Sequence, residues 1–385
     1  MKKRKKMIAL LIVLAAIVAK TIWVRCSTSN IGSFESEKTQ ILRRRNYLLD
    51  KVITEPSKLI KKFPAGIGEQ FQGEWALYTC SMLSASLVNI ATLYPETKDE
   101  SITAIDSLIE MVLSPELRKY DRDRWEEDPL ETLNGDLSHI SYLSHLAWMI
   151  AGYKHLGGGR KYDEIYHPVC EAMNRRLLAS PHLNLETYPG EHIYVPDVLV
   201  AIVALKLYSN QNNGKYASTV TKWLDNMKRN HITTTTNLIA SLIVQDDEGD
   251  FHNFTKGSYT ALSCYYLTFI DESFAQEQYN IFKSKFYKKF PMAGFKEYAH
   301  SSPIISFDID AGPILFGLSP TGTAFGIGPA TYFNDTKVRK KLLRTAERAG
   351  STVTIKGKSH YLLGNIAIVG EAITLAMRTA TPWQL

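Results

Sequence analysis

The chain has 385 residues, 45% of them hydrophobic and 22% charged, enough to bury a large core in one domain or several. Of its net charge of +6, seven positive charges (Lys2, Lys3, Arg4, Lys5, Lys6, Lys20 and Arg25) lie in the first 26 residues with no acid among them, leaving −1 for the rest. A near-neutral body lacks the basic surface that nucleic-acid binding requires, which sets that class aside.

The N-terminus, "MKKRKKMIALLIVLAAIVAKTIWV", is a basic cluster followed by an apolar run in which Lys20 and Thr21 are the only polar residues from Met7 to Val24. Eighteen helical residues reach about 27 Å, enough for a bilayer with Lys20 turned outward. Five cations ahead of the run predict a cytoplasmic tail over 1–6, a transmembrane signal anchor over 7–24 and a body on the extracytoplasmic, periplasmic side of a bacterial membrane. A cleaved signal peptide and a lipoprotein signal at Cys26 are the alternatives; Ile17-Val18-Ala19 is a mediocre cleavage match and Arg25 is a poor neighbour for a lipidated cysteine. A juxtamembrane spacer is expected over 25–37 and the body over 38–385.

Beyond the spacer, apolar periodicity predicts helices over 36–52, 75–94, 98–113, 136–156, 161–179, 196–209, 214–230, 257–271, 273–289, 321–333, 336–349 and 364–378, with strand signals sparse and confined to loops. The more apolar helices start near 75, 136, 196, 257, 321 and 364, mostly about 60 residues apart, and the first five are followed by amphipathic partners. A repeat of one helical hairpin per period suggests a solenoid or a closed ring. Long loops over 114–135, 180–195, 231–256 and 290–320 favour an all-α (α/α)6 toroid with its site at the loop end.

Three segments carry candidate chemistry. In "NGDLSHISYLSHLAWM", Asp136, His139 and Tyr142 follow one helix face with Leu146 and Met149, a grouping suited to proton transfer; the alternative is a helix cap and interior polar groups. In "NLETYPGEHIYVPDVLVAIVAL", Tyr188, Glu191, His192, Tyr194 and Asp197 crowd the start of an apolar helix, as for recognition of an alcohol or sugar; Asp197 alone would also suit the helix dipole. In "GFKEYAHSSPIISFDIDAGP", Glu297, Tyr298, Asp308 and Asp310 lie in an apolar loop dense in Gly and Pro. Two acids so close would repel and raise one pKa, making a general acid, unless they shape a turn or hold a cation. "GDFHNFTKGS", with Asp250, His252 and Lys256, is weaker.

Zinc-protease, P-loop, dinucleotide and serine-hydrolase motifs are absent. Cys26, Cys80, Cys170 and Cys264 have neither metal spacing nor a disulfide framework, and the last three fall in apolar helical patterns that predict buried thiols.

The segments "EWALYTCSMLSASLVNIATLYPE", "LSHISYLSHLAWMIAGYKHLGG", "YVPDVLVAIVAL", "GSYTALSCYYLTFIDESFAQEQY" and "DIDAGPILFGLSPTGTAFGIG" resemble bacterial (α/α)-toroid proteins related to linalool dehydratase/isomerase, most nearly their membrane-anchored members. The resemblance implies the toroid fold and cofactor-independent addition, removal or shift of water on a small alcohol, with acid/base groups and cysteines in the cavity. Toroids also host sugar-processing enzymes. The expectation is therefore an acid/base enzyme acting at a C–O bond of a small alcohol or sugar, as a hydro-lyase, isomerase or glycosidase, without cofactor or metal. Asp310 or Asp308 would donate the proton, Asp197 would oppose it, and His139 and Tyr142 would assist. Asp136, Tyr188, Glu191, His192, Tyr194, Glu297 and Tyr298 would hold the substrate. The alternatives are a non-catalytic glycan- or lipid-binding surface protein and a structural partner of a membrane complex.

Overall fold

A helix that is apolar around its whole circumference must be covered on every side, whereas an amphipathic one needs a single partner. The chain is built from both kinds. A computed structural model describes residues 2–246, 248–300, 305–362, 364 and 368–383; side chains are described from Met7 onward, those of residues 9 and 10 excepted. Among these residues the helices are α1 (Lys2–Ser27), α2 (Phe34–Val52), α3 (Pro56–Ile60), α4 (Glu69–Leu93), α5 (Lys98–Leu113), α6 (Pro115–Trp125), α7 (Ile140–His155) and α8 (Asp163–Ala179). They continue with α9 (Val195–Gln211), α10 (Ala217–Asn230), α11 (Gly257–Leu267), α12 (Glu272–Phe286), α13 (Pro320–Tyr332), α14 (Thr336–Gly350) and α15 (Ile368–Arg378).

The all-round apolar helices are buried, as α9 illustrates: every side chain from Val198 to Leu205 is inaccessible to solvent. Helix α4 packs on α7, α7 on α9, α9 on α11, α11 on α13, α13 on α15, and α15 back on α4. The amphipathic helices α5, α8, α10, α12 and α14 each lie against the apolar helix that precedes them, and α2 lies against α15 and α4. The α15–α4 contact is fastened by Asn89, whose Nδ2 donates to the Ala376 carbonyl at 3.2 Å while its Oδ1 accepts from the Trp383 indole at 2.8 Å. A buried ion network ties α2 to the two last helices. Glu37 accepts from Arg339 and Arg378, and Arg44 pairs with Glu371 at 3.0 Å. Burial works against the Glu37 carboxylate, but the two arginines hold it below its ordinary pKa.

Short strands gather where the apolar helices begin. β1 (Ile193–Tyr194), β2 (Leu242–Gln245) and β3 (Phe251–Phe254) form an antiparallel sheet ahead of α9 and α11. The two-stranded ribbons β4 (Tyr287–Lys288) with β5 (Gly294–Phe295), and β6 (Ile305–Asp308) with β7 (Gly312–Leu315), precede α13. The last ribbon, β8 (Thr352–Ile355) with β9 (Lys358–Tyr361), precedes α15. The start of α7 meets the end of α5, where the Tyr142 hydroxyl donates to the Val112 carbonyl at 2.9 Å. The polar loops thus collect at one end, the loop end.

The expected helices all occur, with shifted ends. Helix α7 starts at Ile140 rather than 136 because His139 is left-handed (φ 48°) and cannot continue a helix backward. Helix α6 occupies the first part of the loop expected over 114–135. The start expected at 364 runs through 365–367, outside the described residues. The expected spacer is only a turn: α1 continues to Ser27, α2 starts at Phe34, and Glu37 belongs to the core.

By length and composition α4 could cross a membrane, but 83% of its most apolar window is buried in the body. Helix α1 differs. Met7, Ile8, Leu11, Ile12, Val13, Leu14, Ile17, Val18, Ile22 and Trp23 are all exposed, and only its end packs, with Val24 buried.

Candidate active site

Three of the apolar helices carry polar residues spaced i, i+4, i+7, a spacing that aligns them on one face. On α4 they are Glu74, Tyr78 and Ser81; on α7, Ser141, His145 and Trp148; on α11, Tyr259, Ser263 and Tyr266. The three stripes meet: Ser81 Oγ lies 2.8 Å from His145 Nδ1, the Tyr78 and His145 rings are 4.8 Å apart, and Trp148 and Tyr266 are 5.3 Å apart. Burial pushes the His145 pKa down to about 3, so its imidazole is neutral at physiological pH.

At the loop end of these stripes stand two carboxyl groups. Glu74 rises from the first third of α4, and Asp197 from the first turn of α9 behind Pro196. Burial raises Glu74 to about 8, against the attraction of Arg124 and with repulsion from Asp197 and Asp310. Burial likewise raises Asp197 to about 7; the hydrogen bond from Thr187 Oγ1 (2.8 Å) opposes this, and the charges of Asp310 and Glu191 add to it. At neutral pH Glu74 thus holds its proton while Asp197 is close to half-ionised. The Glu74 side chain keeps 27% of its surface open. Arg124, from α6, reaches Glu74 Oε2 at 3.4 Å and lies over the Tyr188 ring, 3.4 Å from its centre. The Tyr188 hydroxyl is 3.0 Å from Ser141 Oγ, which is also 3.3 Å from the Tyr120 hydroxyl.

The third wall is Lys256, Tyr259, Tyr194, Asp308 and Asp310. Lys256 Nζ donates to Asp308 Oδ2 at 2.9 Å and to Asp310 Oδ2 at 3.2 Å, and sits over the Tyr259 ring. Tyr194 and Tyr259 meet edge to face at 5.6 Å. Burial, reinforced by Glu191 and Asp310, takes the Tyr194 phenol to about 12; burial and then Asp310 push Tyr259 higher. Thr260 and Ser263 on α11 carry buried hydroxyls with no hydrogen-bond partner among the described residues.

Several expected roles change. Asp308 is not a general acid: it accepts from Lys256 and from the backbone N–H groups of Asp310 and Ala311, both at 3.0 Å. Against burial, these bonds hold its pKa below the ordinary value. It shapes the β6–β7 turn, and Lys256 removes the repulsion expected between the two acids. Asp310 belongs to the site as a neighbour whose charge bears on Asp197, Glu74 and Tyr259. The expected face of Asp136, His139 and Tyr142 does not form, because the helix starts later and turns Ser141 and His145 inward. Asp136 is exposed and pairs with Arg175 at 2.7 Å. His139 is buried between Asp121 (2.5 Å) and Glu127 (3.1 Å), and Tyr142 bonds to α5. Glu297 is a structural anchor whose carboxylate accepts from the Ser258 backbone N–H and hydroxyl at the start of α11.

Tyr188 lies beside Arg124 and Tyr194 beside Tyr259, while Glu191 and His192 are exposed. Tyr298 is half-buried beside Asp308 and Lys256. Sequence reasoning missed Glu74, Arg124, Tyr78, Tyr259 and Ser141, and weighted Lys256 too lightly; the i, i+4, i+7 polar stripes within apolar helices are the signal that would have found most of them. Cys80, Cys170 and Cys264 are buried as expected, and burial pushes all three thiols up, Cys80 to about 12. Among the described residues no three His, Cys, Asp or Glu side chains are grouped to hold a metal ion. No protein-family model and no curated protein sequence matches the chain.

Proposed function

We propose that the chain is a membrane-anchored (α/α)6 toroid whose loop-end pocket performs acid/base chemistry at a C–O bond of a small alcohol or sugar. The cyclic order of packing from α4 through α15 and back supports the toroid reading, with α2 as the sixth outer helix. The apolar, exposed part of α1 that follows its basic cluster supports the anchor, with the body on the extracytoplasmic side. The resemblance to linalool dehydratase/isomerase relatives implies the same fold and reaction class. The buried thiols argue against a cysteine-dependent version of that chemistry here.

One arrangement carries the reaction: two largely buried carboxyls, Glu74 and Asp197, stand near enough at the loop end for the charge of Asp197 to bear on Glu74, with pKa values of about 8 and about 7. Glu74 gives its proton to the leaving hydroxyl, which departs as water. Asp197 takes a proton from the adjacent carbon, whose C–H electrons become the new double bond. The reverse steps add water, and return at a different carbon isomerises. Arg124 and Tyr188 orient Glu74, while Tyr194 and Tyr259 pack against the substrate. The proton donor is thus Glu74 rather than Asp308 or Asp310.

The test incubates detergent-solubilised full-length protein with allylic alcohols and alditols in 18O-labelled water, following label in the substrate by mass spectrometry. Label should enter with the wild type and fall by about 100-fold or more in Glu74→Gln and Asp197→Asn. Exchange that persists undiminished in both variants would remove the pair from the chemistry. Ligand binding without exchange would leave the pocket a receptor for the same class of molecule.

A further inference from the structure

Among the described residues, large apolar side chains are exposed along α1 and at the loop end of the body. Phe290 is 80% exposed, Ile305 and Phe307 74% each, and Ile355 and Leu362 61% each, with Phe316 also open to solvent. They sit on the β4–β5, β6–β7 and β8–β9 segments that lead into α13 and α15, the end where Asp197 and Glu74 open. Exposed apolar side chains gathered at one end of a body suit contact with a partner.

The course of α1 identifies that partner. Thr28, just past its end, accepts from Arg344 Nε at 3.3 Å in the middle of α14, whereas Lys20 bonds to Ser351, immediately after α14 ends. The two helices therefore run antiparallel, and α14 finishes at the loop end. From Lys20 back to Lys2, about 27 Å of helix continues past the end of α14 on that side. Val13, Ala16 and Ile17 pass Met292 of the β4–β5 loop, and with Lys20, Thr21 and Arg348 they line a groove of about 520 Å³. A bilayer that receives α1 therefore lies against the loop end. The polar groups beside the patch suit its surface: Lys289, Arg348 and Lys356 are exposed next to Phe290, the groove and Ile355. This is the arrangement of cations at the headgroup level with aromatic and aliphatic side chains below it.

We propose that the loop end is a lipid-bilayer docking face, seated against the same bilayer that receives α1. The proposal rests on reading α1 as the anchor. Phe307 and Ile355 enter the interface to about the depth of the glycerol and first acyl carbons, about 5–10 Å. The groove beside α1 accepts an acyl chain, with Lys20 and Arg348 toward its phosphate.

Spin labelling separates this from the anchor reading. Full-length Cys26→Ser protein, which leaves only buried cysteines, carries one nitroxide at Phe307→Cys, Ile355→Cys, Val13→Cys or Asp99→Cys. Each is reconstituted in phosphatidylethanolamine/phosphatidylglycerol vesicles, and accessibility to oxygen is compared with accessibility to a water-soluble nickel chelate. The labels at 307, 355 and 13 should favour oxygen, and the label at 99, at the opposite end of the body, the chelate. A label at 13 in lipid with those at 307 and 355 in water would overturn the docking face and leave the anchor standing. A label at 13 in water would end the anchor reading, and those at 307 and 355 would still decide the docking face by themselves.

Discussion

Glu74 shows how one residue acquires a chemical role from its surroundings. A glutamate in the first third of a long apolar helix loses water on most sides, and its single nearby cation, Arg124, is shared with the face of Tyr188. Burial therefore wins over the ion pair, and the proton stays on. Stability should follow. Unfolded Glu and Asp titrate near ~4, whereas folded Glu74 and Asp197 titrate near 8 and 7. The fold binds the protons more tightly, so their contribution is complete below about pH 4 and disappears as pH rises through 7 and 8. The double variant E74Q/D197N should gain on the wild type by on the order of 2–4 kcal/mol between pH 5 and pH 9, after a discount for the open face of Glu74. Chemical denaturation at a series of pH values measures it. A difference that stays constant across that range would show that neither pKa is raised.

At the scale of the element, the site depends on how the loop end fixes the first turn of each apolar helix. Helix α11 begins with no Cβ to spare: Gly257 donates its N–H to the Glu297 carbonyl at 2.7 Å, and an added Cβ would lie 1.8 Å from the Lys296 carbonyl oxygen. Lys256 and Tyr259 flank that glycine, so Gly257→Ala should cost about 1–3 kcal/mol or more and displace both site residues. Gly370 in α15 has open space around its Cα, and Gly370→Ala should be neutral or stabilise by up to about 1 kcal/mol. Denaturation midpoints of the two variants test the contrast; equal stabilities would contradict it. The same element explains what could be read in sequence and what could not. Apolar periodicity located α5 from 98 to 113 and α9 within two residues, because the apolar spacing of each runs nearly from end to end. It misplaced the start of α7 by four residues, because the left-handed His139 is fixed by Asp121 and Glu127, contacts a linear pattern does not contain.

Across the whole molecule, residues from 74 to 310 come close enough for their charges to bear on one another because the apolar helices that carry or follow them start at the same end. Tyr188, Tyr194, Asp197 and Asp310 could be picked out as candidates because they stand in or just after polar, aromatic or breaker-rich segments that lead into apolar helices. Glu74 and Arg124 were not, since one lies in a helix that otherwise reads as core and the other in a highly charged helix that otherwise reads as surface. The carboxylates at 308 and 310 were legible as a pair, but the lysine that neutralises them lies more than 50 residues away, at 256. On this reading Glu74 and Asp197 form an acid and a base poised around neutral pH. A carbon-detected NMR titration of the 13C-labelled Glu74 and Asp197 carboxyls in full-length protein, assigned with E74Q and D197N, tests it. Glu74 should titrate near 8 and Asp197 near 7. Both carboxyls titrating below about pH 5, as ordinary side chains do, would contradict it.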